Sequence, residues 1–73
     1  MTSEPVEQSG IDLGEAARQL ELAVHDAQVA YDCLALGTVD RAHTYAITAR
    51  AAADAAETVL RAALNANASP PNE

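Results

Sequence analysis

Leu34-Ala35-Leu36-Gly37-Thr38-Val39-Asp40 is the stretch on which the fold turns. Leu34 and Leu36 close one helical pattern, and Gly37 supplies a residue that enters the left-handed conformation without a Cβ penalty, the usual way to stop a helix. Thr38 or Asp40 can then cap a second helix through a side-chain oxygen. With so few residues between the two patterns, the helices must run antiparallel as a hairpin.

Working outward, the first helix opens at Asp12-Leu13-Gly14-Glu15. This D-x-x-E arrangement lets Asp12 cap a free amide while Glu15 reaches back to the cap. The second helix must end before Pro70-Pro71, since proline cannot continue it. The spacing predicts helices over 13–36 and 39–66, with the hairpin as a whole spanning 12–67. Residues 1–11, with Pro5 and Gly10, and 68–73 read as flexible tails.

Apolar residues recur at alternating three- and four-residue steps in both helices. In the first, Leu13, Ala17, Leu20, Val24, Ala27, Tyr31 and Leu34 form one line. In the second, Val39, Ala42, Ala46, Ala49, Ala53, Ala56, Leu60 and Ala63 form another. Packed together, large side chains of the first helix would nest against small ones of the second. The predicted hairpin core is therefore Leu13, Leu20, Val24, Tyr31 and Leu34 against Tyr45, Ala49, Ala56 and Leu60.

Leu22, Val29, Cys33 and Leu36 fall outside that line, on roughly the opposite side of the first helix at 100° per residue. A two-helix hairpin covers one side only, so this stripe is predicted to be an interface. A second copy, forming a four-helix bundle, is one covering. A target protein is the other. The first helix and its cap also hold Asp12, Glu15, Glu21, Asp26 and Asp32 against Arg18, whereas the three acids and three arginines of the second helix balance. Glu21, Asp26 and Asp32 would flank the stripe and favour an apolar groove rimmed by Arg and Lys.

Composition limits the chemistry. The chain has 73 residues, 49% of them hydrophobic, but 18 are alanine; there is no Trp or Phe, and the net charge is −7. So short a chain rarely supports a deep multi-part active site and usually needs a staple or a partner. Eleven acids against four arginines argue against direct nucleic-acid binding. No 18-residue apolar run or secretory leader is visible, so the expectation is cytoplasmic, without membrane contact.

His25, Asp26, Asp32, Cys33 and His43 are the only residues that could raise metal or nucleophile chemistry. Their spacing does not bring them to one point, so no metal, cofactor or catalytic residue is predicted. Cys33 reads as a small apolar residue at an interface edge. The expected function is a small acidic non-enzymatic module. It would be a homodimer that binds and modulates, by inhibition or occlusion, a bacterial protein. The alanine and arginine bias without lysine fits a high-GC bacterium or its phage. The alternatives are an oligomerisation subunit of a larger assembly and an acidic nucleic-acid mimic.

Overall fold

A computed structural model describes residues 12–68 and shows two helices, α1 (Leu13–Ala35) and α2 (Val39–Ala68), packed against each other as a hairpin. The second helix passes the predicted end at 66 and includes Ala68; the rest of both predicted tails lies outside the described residues.

The start of α1 is half of the expected box. Asp12 is extended (φ −115°, ψ 94°), and its side chain accepts from the Glu15 amide at 3.2 Å. Glu15 does not return the bond. Its carboxylate instead accepts from Arg18 Nη2 at 2.7 Å and from Gln19 Nε2 at 2.8 Å. A charged guanidinium one turn along is a stronger partner than a single amide.

The turn closes with both bonds of a Schellman motif. The Thr38 amide donates to the Cys33 carbonyl at 2.9 Å and the Gly37 amide to the Leu34 carbonyl at 3.0 Å. Gly37 sits at φ 81°, in the left-handed region. Thr38 faces both ways: its hydroxyl donates back to the Cys33 carbonyl, while its own carbonyl accepts from the Ala42 amide at 3.0 Å. Asp40 accepts the Arg41 amide at 2.9 Å, satisfying another donor of the first turn of α2. A Cβ added at Gly37 would meet nothing within 4 Å, so substitution there is penalised by backbone conformation alone. Gly37→Ala is expected to lower stability by about 1–2 kcal/mol, with Gly37→Asn recovering part of it, in urea unfolding followed by far-UV circular dichroism.

The seam between the helices is not the one the large residues mark. Its most buried members are Ala16, Asp26 and Cys33 of α1 and Ala42, Ala52 and Ala56 of α2, with Ala56 fully enclosed. Gln19, Ala23, Val29 and Ala30 on α1, and Ala49, Val59 and Ala63 on α2, are half-buried. The predicted core residues Leu13, Leu20, Val24, Tyr31, Leu34, Tyr45 and Leu60 are exposed instead, Val24 by 69%. Among the described residues no large side chain is fully buried. Alanine lets two backbones approach closely, and a seam built from it leaves no room for leucine. Each alanine methyl contributes about 0.8 kcal/mol on burial, against roughly 1.5–3 for a leucine or valine. The hairpin therefore retains most of its bulky apolar surface on the outside.

Candidate interaction surfaces

Both helices carry two interleaved repeats, and the fold assigns them different work. On α1 the seam positions Ala16, Gln19, Ala23, Asp26, Ala30 and Cys33 centre roughly 90° from the line Leu13, Leu20, Val24, Ala27, Tyr31 and Leu34 at 100° per residue. On α2 the seam lies at a similar angle, roughly 90°, to Val39, Ala46, Ala53, Leu60 and Leu64. In an antiparallel pair the two offsets have the same sense, so these lines share one broad face of the hairpin. A groove of about 430 Å³ beside the turn bears this out. It is lined by Ala27, Ala30, Tyr31 and Leu34 from α1 and by Val39, Ala42, His43 and Ala46 from α2. The α1 half of this leucine face contains no charged residue; Arg50, Glu57 and Arg61 lie at the outer margin of α2.

The other face is narrower. Leu36 is 80% exposed and Leu22 47%, while Val29 is half-buried against the hairpin. Glu21 and Asp32 stand exposed on the outer side of this stripe. Cys33 and Asp26 were expected beside these residues and belong elsewhere. Both are only 8% exposed in the seam, because they continue the three- and four-residue steps of Ala16, Ala23 and Ala30. That leaves Leu22, Val29 and Leu36 with Glu21 and Asp32 as the stripe a partner can reach.

The charged side chains are mostly held locally. The carboxyl of Glu15 lies below its ordinary value of 4.5, chiefly through the Gln19 hydrogen bond and then Arg18. Glu57 is lowered in the same way by Arg61, whose Nη2 is 2.6 Å from it. Arg18 also stands 3.7 Å from Asp12. Asp26 is the exception in its setting, a carboxylate within an alanine seam. One oxygen lies 3.1 Å from Nδ1 of His25, whose side chain is itself largely exposed.

The residues that raised metal or nucleophile chemistry stay dispersed. His25 pairs with Asp26, Asp32 accepts from Gln28 at 3.0 Å, Cys33 is buried, and His43 lines the groove. Among the described residues no group of three or more His, Cys, Asp or Glu is placed to hold a metal ion. None of their helices is long and apolar enough to cross a membrane.

The chain matches no protein family, no curated protein and no solved structure. Function must therefore be argued from the surfaces themselves. Leu64 joins the candidate surface without having been singled out in the sequence, while Val39 and His43, read there as a seam residue and as a candidate for metal or nucleophile chemistry, take their places on it. The signal for them was the second, small-residue repeat. Once Ala42, Ala49, Ala52 and Ala56 are taken as the seam, the leucine face follows by rotation.

Proposed function

We propose that this chain is a non-enzymatic homodimeric module that binds another protein and modulates it by occupying its surface. The observation that carries the reading is the inversion of bulk. The helices join through alanine, while Leu13, Leu20, Leu22, Leu34, Leu36, Leu60 and Leu64 face outward on a chain of 73 residues. Contiguous exposed apolar faces of this kind mark protein–protein contact. A short hairpin with this little buried bulk gains much of its stability by covering them.

The target side of the module is the narrow stripe. Leu22, Val29 and Leu36 supply apolar contact, and Glu21 and Asp32 supply orientation toward a groove rimmed by Arg and Lys. A bacterial protein is the expected target, with inhibition or occlusion the mode of action. Acids that alternate with apolar residues in this way fit a protein groove better than a phosphate-like array.

Capture from extract of the source cells tests this, using the tagged chain beside its Leu22→Asp/Leu36→Asp and Glu21→Lys/Asp32→Lys variants. A protein retained by the parent chain is expected to be lost from both variants, each keeping its helical dichroism. Equal retention by all three chains rejects the stripe as the target surface.

A further inference from the structure

We infer that the leucine face is covered by a second copy of the chain, laid antiparallel across it with the two Gly37 turns at opposite ends. The inference deepens the proposed function: it rests on that reading's homodimer and assigns its interface. Three observations argue for a second copy over a foreign partner.

The first is the angle. In a square four-helix array each helix has two neighbours at about 90°, which is roughly the offset between the alanine seam and the leucine line on both helices. One direction is already filled by the hairpin partner, and the other points out of the leucine face.

The second is charge. The α1 half of this face is free of charged side chains from Leu13 to Leu34. That half offers no steering toward a particular foreign surface and meets no repulsion from its own copy, and the charges of the α2 half, Arg50, Glu57 and Arg61, stand at its outer margin. The acids that would select another protein, Glu21 and Asp32, lie elsewhere.

The third is shape. Beside the turn the face is a groove floored by Ala27, Ala30, Ala42 and Ala46. Toward the free ends it carries Leu13, Leu20, Leu60 and Leu64, all exposed. A twofold axis across the middle of the face lays each leucine-bearing half over the other copy's groove, twice over. Val24 then falls at the axis, Leu20 meets the partner's Ala27, and Leu64 meets the partner's Val39. Turns at the same end would instead stack groove on groove. The paired length of α1, about 32 Å, over two helix widths gives about 600–700 Å² per copy, close to the roughly 800 Å² per partner of a standard stable interface.

Sedimentation equilibrium and cysteine cross-linking test the inference on the full chain. The parent is expected at twice its 7.6 kDa mass. Leu20→Asp/Leu60→Asp is expected to raise the dissociation constant at least about a hundredfold, from two charges placed in a desolvated interface. In a Cys33→Ala background, Val24→Cys is expected to oxidise to a covalent dimer, since the axis brings the two Cα atoms within disulfide range. Leu22→Cys on the other face is expected to stay single. The Val24→Cys arm reads the interface even where the Asp variant loses its fold.

A parent that is monomeric at every concentration overturns both the inference and the homodimer. A dimer that survives Leu20→Asp/Leu60→Asp, or that cross-links through Leu22→Cys, keeps the homodimer but overturns this face. A dimer lost on that substitution without a Val24→Cys cross-link overturns the antiparallel arrangement.

Discussion

Replacing Ala56 by leucine is expected to remove about 3 kcal/mol of stability, enough to leave much of the chain unfolded at room temperature. Ala56 is fully enclosed where α1 and α2 meet. Three added carbons have no space unless the helix axes separate, and separation strips contact from Ala16, Ala42 and Ala52 as well. Overpacking a well-filled core typically costs about 1–3 kcal/mol. The upper end is expected because the seam has few long side chains that could shift to absorb the insertion. Ala51→Leu is the control. Ala51 is exposed on the outer surface of α2, so the same chemical change there should stay within about 0.5 kcal/mol. Urea midpoints at one fixed protein concentration give the comparison, since association adds to apparent stability. If Ala56→Leu unfolds no earlier than Ala51→Leu, the alanine seam is wrong and the larger residues regain their claim to it.

That experiment probes the point at which sequence reading and structure part. The hairpin itself was legible because local chemistry specifies it. Gly37 can only be a helix stop of this kind, Thr38 and Asp40 serve the next helix, and Asp12 caps the first. Local rules did overreach at Glu15, where Arg18 and Gln19 outcompete the cap amide. The choice of seam was not legible by the same means. On α2 the expected Ala49 and Ala56 do lie in the seam. On α1 two three-four repeats compete, one of large and one of small residues, and transfer energy alone favours burying the large one. That argument omits backbone approach. Ala16, Ala23 and Ala30 opposite Ala42, Ala49, Ala52 and Ala56 let the axes come close along their length, which leucine cannot. It also takes the hairpin to be the whole folded unit. In a four-helix assembly the large repeat has its own place, and choosing alanine for the seam leaves it free.

The same reasoning relocates the candidate site. Cys33 and Asp26 looked like stripe residues because they sit close in angle to Leu22, Val29 and Leu36. A rotation of the seam by roughly 90° carries them inside. Asp32 and Glu21, a fraction of a turn further round, remain outside. Sequence periodicity therefore gave the existence of two apolar faces and left open which of them each flanking polar residue would serve.

Asp26→Ala is expected to stabilise the chain by about 1–3 kcal/mol, a gain from deleting a charged side chain. Asp26 is 8% exposed, yet among the described residues its side chain meets one polar partner, Nδ1 of His25 at 3.1 Å. Desolvating a polar group without full hydrogen bonding costs on the order of 1–3 kcal/mol in proteins. The His25 contact returns little of that, because the imidazole stands largely in water, where ion pairs are worth about 0–1 kcal/mol. Alanine also has the better helix propensity, by about 0.5–0.7 kcal/mol, and matches Ala23 and Ala30 in volume. Urea unfolding should therefore shift to a higher midpoint with an unchanged slope, since the same surface is exposed. A lower midpoint would mean that the carboxylate is fully satisfied and holds the seam together. Where the midpoint rises, the variant becomes a probe of function. A stabilised chain that still dimerises and captures its target shows that Asp26 serves neither contact. A stabilised chain that loses one of them places the residue in the working of the molecule, since stability given up at a buried position is commonly exchanged for activity.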